Sequence, residues 1–192
     1  IKLRENEFEE WMSKTVKTGR EYEHTAKICS FVNFISVVEP SGHIKRPSMY
    51  MSKNWMTNIW CWDRCFNVLS LTKKNVEFAM EQYLSLFDHQ NEYGCLPDCV
   101  NDQFMIYDYV KTPLEGWSVF YILKHTDYFT NEILAKIYGP LRDWTNWWFN
   151  YRDYDGDGLP QYNSGLDSGW DNNSIFAEGN LVEAPDLIAF LI

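Results

Sequence analysis

The segment 153–174, Asp-Tyr-Asp-Gly-Asp-Gly-Leu-Pro-Gln-Tyr-Asn-Ser-Gly-Leu-Asp-Ser-Gly-Trp-Asp-Asn-Asn-Ser, sets five carboxylates among glycines, asparagines and aromatic rings. Carboxylates in such company are what glycosidic cleavage needs. One carboxylic acid protonates the departing oxygen, and a second carboxylate activates water on the other face of the sugar ring. For a carboxylic acid to keep its proton near neutral pH it must be partly buried against apolar surface, and Trp170 is the nearest ring able to provide that. Glycines let the backbone come close to a ligand. A segment this long without regular structure inside a domain is usually functional.

A second chemistry overlaps the first. Asp153, Asp155, Asp157 and Gly158 follow the Asp-x-Asp-x-Asp-Gly spacing in which alternate side chains converge on one hard cation. Leu159 could add a carbonyl oxygen and Gln161 a side-chain oxygen. Ser164 stands where an EF-hand carries its bidentate Glu, so the readings left open are a calcium site of another kind and a solvated acidic turn. No redox or organic cofactor is needed for either chemistry. Ser164, Ser168 and Ser174 have no histidine partner in reach by sequence, which argues against a nucleophilic serine. His24, His43, His89 and His125 lack metal-ligand spacing.

The elements that must position these groups are helical. Phe8, Trp11, Met12 and Val16 predict a helix over about 5–17, and Ile28, Phe31, Val32, Ile35 and Val38 a second apolar stripe that stops at Pro40. Residues 43–61 read as extended or irregular. Helices are expected over Asp63–Leu71, through Val76, Met80, Tyr83, Leu84 and Phe87, from a first-turn Pro113 through Trp117 and Tyr121, and along Ile133–Tyr151 with a kink or break at Pro140. Alternation is nowhere sustained, so the expected class is all-α, a toroid of helical hairpins. Residues 183–192 start like a helix and end without a terminator, and the expectation is that 1–192 form the N-terminal half of one longer domain.

Composition narrows the partners. The 192 residues carry a net charge of −10, which disfavours nucleic acid and an anionic membrane surface. No apolar run approaches the roughly 20 residues that span a bilayer. Cys29, Cys61, Cys65, Cys95 and Cys99 form an odd set without a CxxC pair, which fits reduced, buried thiols and leans towards a cytoplasmic location. Aromatic residues reach 17%, including 9 Trp. Such rings serve cores, and they also stack on the C–H faces of sugars.

Asp167-Ser168-Gly169-Trp170-Asp171-Asn172 resembles the Glu-Ser-Gly-x-Asp-Asn/Phe signature of the six-hairpin (α/α)6 glycoside hydrolases. That group includes mannosyl-oligosaccharide glucosidases (glycoside hydrolase family 63-like), mannosylglycerate hydrolases and trehalases. Trp60-Cys61-Trp62-Asp63-Arg64-Cys65-Phe66 is similar to the group's Trp-x-Trp-Asp-x-x-Phe, Gly94-Cys95-Leu96-Pro97 to its Gly-x-Leu/Ile-Pro, and Lys111–Trp117 to its Gln-Pro-Pro-x-x-x-Trp. Pro185-Asp186-Leu187 resembles its post-loop helix start. These matches lie in order over roughly residues 40–190. Asp167 replaces the group's Glu, Lys111 its Gln and Thr112 its Pro.

The resemblance implies that Asp171 is the general acid of an inverting exo-glycosidase acting on α-linked glucose- or mannose-type sugars. It implies substrate contacts at Trp60, Trp62, Asp63, Trp117, Gly169, Trp170 and Asn172, and a structural calcium in the loop of some relatives. The base would be a Glu beyond residue 192, with Glu178 and Glu183 read as rim residues. The partners expected are therefore an oligosaccharide or small glycoside and the remainder of the same polypeptide, without which the chain would be inactive. Trp60 or Trp62 could be plain core at helical spacing, but the adjacent Asp63 favours the sugar site. Two alternatives stay open: a trehalase or glycogen-debranching glucosidase, and a non-catalytic carbohydrate-binding helical domain.

Overall fold

The structure, a computed structural model, describes residues 2–192. Among the described residues there are eight α-helices: α1 (Lys2–Ser13), α2 (Glu23–Ser36), α3 (Asp63–Leu71), α4 (Val76–Leu84), α5 (Glu115–His125), α6 (Asn131–Tyr151), α7 (Gly165–Ser168) and α8 (Pro185–Leu191). The expected helix over Asp63–Leu71 is present with those bounds. Its first residue puts a carboxylate in the first turn, where the unpaired backbone N–H groups favour negative charge.

Three local expectations need correction. Pro113 is not in the first turn of α5: it precedes Leu114, which caps a helix starting at Glu115. Of the kink or break expected at Pro140, the break is absent: α6 runs 21 residues through it. A proline clashes with the Cβ of the residue before it, and that residue is Gly139, which has none. Buried Ile137 on one side of Pro140 and buried Trp144 and Trp148 on the other then anchor both halves against the core. The predicted stripe on α2 forms through Ile35 and is only edge-covered, while Val38 lies past the helix end at Ser36, in a short strand. Phe8 and Trp11 of α1 reach Phe31 and Phe34, while Ile28, Phe31, Val32 and Ile35 keep about half their surface exposed.

The molecule is mostly helical, as expected, with five two-residue strands besides. Strands β1 (Val37–Val38) and β2 (Ser48–Met49) pair antiparallel, and β3 (Ile59–Trp60), β4 (Cys99–Val100) and β5 (Met105–Ile106) form a three-stranded antiparallel sheet in that order. Ser48, Met49, Ile59, Cys99 and Val100 are buried. Chain that crosses the core without helical structure must still satisfy its N–H and C=O groups, and these short ladders do so. No alternation could announce strands of two residues. The register Trp60↔Cys99 also joins the two motifs that the sequence keeps far apart.

Two apolar clusters form the core. One gathers Ile59, Cys61, Leu96, Val100, Trp144, Trp148, Tyr162 and Leu187, and the other packs Val68, Leu71, Met80 and Tyr83 against Val119, Ile122 and Ile137. A wholly buried ion pair spans them. Arg64 donates to Glu115 at 2.7 Å and to the Tyr83 carbonyl, and Trp144 Nε1 donates to the other Glu115 oxygen at 2.9 Å. Both carboxylate oxygens and two of the three guanidinium nitrogens are thus bonded, and Arg64 Nε alone is left without a partner. Such pairing is the condition for burying charge without a large loss. The pair thereby fixes the start of α3 relative to α5 and α6. Among the described residues no helix is long and apolar enough to cross a membrane.

Candidate active site

α3, α5 and the segment after α6 bring three tryptophans to one cleft. Trp62 at the start of α3, Trp117 in α5 and Trp170 line it together with Phe66, Thr112, Leu114, Asp186 and Phe190, around a volume of about 230 Å³. The rings form a connected series. Trp62 meets Phe66 edge-on at 6.1 Å, Phe66 meets Trp117 at 6.0 Å, and Trp117 meets Phe190 at 6.3 Å. Phe66 and Trp117 nevertheless keep substantial exposure, at 48% and 37%. Large, exposed aromatic faces around a concavity suit the apolar faces of a sugar ring.

Gly169 belongs to this wall. Its φ of +70° lies in the left-handed region, and a Cβ built there would stand 2.6 Å from the Trp62 ring. Only glycine lets the loop close onto Trp62 in this way. Loop position is further set by Thr112, whose hydroxyl lies 2.8 Å from that of Tyr162 and donates to the Ser168 carbonyl at 3.1 Å. Tyr162 donates in turn to Asp186 at 3.0 Å. Thr112 thus has a structural task at a position where the resembling sequences carry Pro.

Asp63 lies half-buried beside Trp62, and burial pushes its carboxyl up to about 6, opposed by its own backbone N–H, Lys111 and Trp62. Behind it, Lys111 forms a 3.1 Å ion pair with Asp98, both side chains being almost fully buried. The ammonium also stands 5.8 Å over the ring of Trp60. Burial raises Asp98 to about 6 as well, against the pull of Lys111 and with Asp167 and Asp63 adding to the rise. Trp60 therefore contacts the buried cation, and its Nε1 is buried without a hydrogen-bond partner.

The long aspartate-rich segment divides into two loops, each closed at its base. Gln161 N donates to the Arg152 carbonyl at 2.6 Å, pinching off 153–160, and Tyr162 pairs with Val182 in both directions at 2.9 Å, pinching off 163–181. Arg152 also reaches Asp167 at 2.9 Å, a buried pair that ties one loop to the other. Asp167 is engaged there and at Asn163 N, so it is an anchor for the loop. Asp171 and Asn172 follow Trp170 on the exposed part of the second loop. The partial burial of Asp171 against Trp170, expected from the sequence, is not found: Trp170 itself is 56% exposed.

In the first loop the carboxylate oxygens of Asp153, Asp155 and Asp157 lie within 4.8 Å of one another. Asp153 accepts from Gly156 N and Gly158 N, each at 2.9 Å, and Asp157 from Leu159 N at 2.9 Å. Gln161 donates to Glu183, while its Oε1 is buried with no partner. Hard oxygen donors this close together fit a calcium ion.

Of the residues predicted to touch substrate, Trp62, Trp117 and Trp170 line one cleft, with Gly169 against the Trp62 ring and Asp63 next to Trp62 in sequence, while Trp60, Asp171 and Asn172 do not line it. Phe66 and Asp186 line the same cleft without having been predicted as contacts, and the buried Asp98 was not singled out at all. The available signal for Asp98 was Lys111: a cation in an apolar context needs a carboxylate, and Asp98 directly follows the Gly94–Pro97 motif.

The mannosylglycerate hydrolase MGH1-like glycoside hydrolase domain matches residues 56–182, which contain every side chain of the cleft except Asp186 and Phe190. No curated protein matches the chain. Among solved structures, an uncharacterized conserved protein from Thermus thermophilus is similar in fold, with a TM-score of 0.59 at 23% identity over 73% of this chain. The chain spans 36% of that protein's length. With two thirds of its residues inside the matched domain, the chain belongs to the MGH1-like glycoside hydrolase family, a member of the six-hairpin group.

Proposed function

We propose that this chain forms the general-acid side of an inverting exo-glycosidase acting on α-linked glucose- or mannose-type sugars. The observation that carries the reading is the cleft walled by Trp62, Trp117 and Trp170, with Asp63 beside Trp62 and the Asp171 loop closed onto Trp62 through Gly169. A sugar ring lying against these faces would offer its hydroxyls to Asp63. Trp60, behind the ammonium of Lys111, acts through the packing of this wall, and Asn172 shapes the loop next to the acid. Asp171 would hand its proton to the departing oxygen. As an exposed group Asp171 lacks the apolar cover that an acid requires, and that cover would come with the bound sugar and with the hairpins that complete an (α/α)6 toroid. By the resemblance, the base would be a Glu outside residues 1–192.

For the acidic loop we propose a structural calcium held by Asp153, Asp155 and Asp157, with Leu159 and Gln161 as further oxygen donors. The ion would neutralise converging carboxylates and stiffen the loop next to Arg152. Calcium should raise the thermal unfolding temperature and Asp155→Asn should abolish the rise. An unfolding curve indifferent to calcium rejects the site.

The function is tested by following the anomer first released from α-mannosides, α-glucosides and trehalose by the intact polypeptide, using NMR. Release of the β-anomer from one of them is expected. Release of the α-anomer would exclude inversion, and turnover of trehalose alone would favour the trehalase alternative.

A further inference from the structure

The cleft shares a wall with a second cavity. Trp170 and Asp186 line the cleft of Trp62 and Trp117, and they also line a cavity of about 330 Å³ whose other walls include Ile175, Phe176, Ala184 and Pro185. The cleft alone, at about 230 Å³, falls below the range of about 300–1,000 Å³ in which small-molecule sites usually lie. A ligand that occupies both chambers would bury what the first cannot hold.

The shared wall is firmly set. Trp170 N donates to Ser168 Oγ at 3.0 Å, and the Trp170 carbonyl accepts from Asn173 N at 2.8 Å. Asn173 Oδ1 accepts in turn from Ile175 N at 3.0 Å, which turns the chain so that Ile175 and Phe176 reach the second cavity. Asp186 is anchored through one oxygen, which accepts from the Tyr162 hydroxyl at 3.0 Å; among the described residues no hydrogen bond engages the other. Asp186 is the one carboxylate among the described residues that line the two chambers, and no Lys, Arg or His lines either. Two cations of this part of the chain, Lys111 and Arg152, are taken up by Asp98 and Asp167.

We propose, resting on the glycosidase reading, that the second cavity is the leaving-group subsite and that Asp186 selects neutral, hydroxyl-bearing leaving groups over anionic ones. A carboxylate oxygen accepts hydrogen bonds from hydroxyls, whereas it repels a second anion and has nothing to offer it. The order of the chambers follows from their divider. Asp171, the proposed acid, directly follows Trp170, so the bond to be cleaved belongs at Trp170, with the sugar ring on the Trp62 side and the leaving group on the Phe176 side.

The test uses the intact polypeptide with matched pairs of α-glucosides and of α-mannosides, whose short leaving groups differ only in ending with CH2OH or with a carboxylate. The ratio of kcat/KM should favour the neutral member by about 10–100-fold, and Asp186→Asn, which keeps an oxygen for Tyr162, should shrink that ratio by about tenfold. Ile175→Lys, at a half-exposed position that lines the second cavity alone, should shrink it too, and decides the matter if Asp186→Asn fails to fold. A merely structural Asp186 would lower turnover of both members together, so a ratio unmoved by both variants, or a wild type without the neutral preference, overturns the inference. The same pairs with sulfur in the scissile position resist cleavage, and their Kd is read by calorimetry. If Kd shows the neutral preference and the variants remove it while no oxygen glycoside is cleaved, the subsite stands and the glycosidase reading falls. If oxygen glycosides are cleaved while neither ratio responds to the variants, the reverse follows.

Discussion

The two sides of the cleft are built differently. On the Asp63 side, a helix start, a three-stranded sheet and two buried ion pairs hold each group: Arg64 with Glu115 fixes α3, and Lys111 with Asp98 lies behind the carboxylate. On the Asp171 side, a loop pinned at its base by Tyr162–Val182 carries an exposed carboxylate past a half-exposed tryptophan. The first side is complete within this chain, because its burial and its counter-charge come from residues 60–115. The second has its backbone fixed but not its dielectric environment. On the proposed reading a sugar ring would meet a pre-organised wall here, whereas proton donation by Asp171 would depend on what covers that carboxylate.

Gly169 joins the two sides, and substitution there should have the largest effect. Gly169→Ala forces a Cβ to within 2.6 Å of the Trp62 ring at a positive φ. Left-handed strain and overpacking each cost about 1–3 kcal/mol. Chemical denaturation should therefore register a loss of about 2–4 kcal/mol, and glycoside affinity should fall with it. An alanine variant as stable as wild type would mean that loop and wall are independent.

A smaller effect should distinguish the Asp63 side by its pH dependence. The Asp63 carboxyl is raised to about 6 in the folded chain, above its unfolded value of about 3.9. Between those values the folded state binds more protons than the unfolded one, so stability falls as pH rises through this window and is level above it. Asp63→Asn removes the dependence. Relative to wild type the variant should gain stability from about pH 4 to 6, by about 1 kcal/mol after allowance for partial solvent access, and lose sugar binding throughout. A difference between the two proteins that does not vary with pH would mean that Asp63 is solvated.

Legibility followed the range of the interaction. The start of α3 could be read because periodicity and the Trp-x-Trp-Asp motif are local, and the acidic loop because its spacing is its geometry. The ladder that brings Trp60 beside Cys99 was hidden, since a two-residue strand has no period and the partners lie far apart along the chain. Lys111 looked like a defect in a motif until Asp98 was found 3.1 Å away. Pro140 misled because packing outweighs its local cost: Ile137 before it and Trp144 and Trp148 after it are buried in the core, and Gly139 removes one of the clashes a proline makes. The burial of Asp171 could not be judged from Trp170 next to it, because adjacent residues on a turn need not face one another.

The most direct measurement of the central claim is the dependence of turnover on the leaving group in Asp171→Asn, made in the intact polypeptide. An aryl glycoside with an acidic phenol departs without help, while an alkyl glycoside needs a proton. The variant should keep activity within about tenfold on the former and lose about 10²–10⁴-fold on the latter. Near wild-type turnover of the alkyl glycoside would show that the proton comes from another group and that position 171 is not the acid.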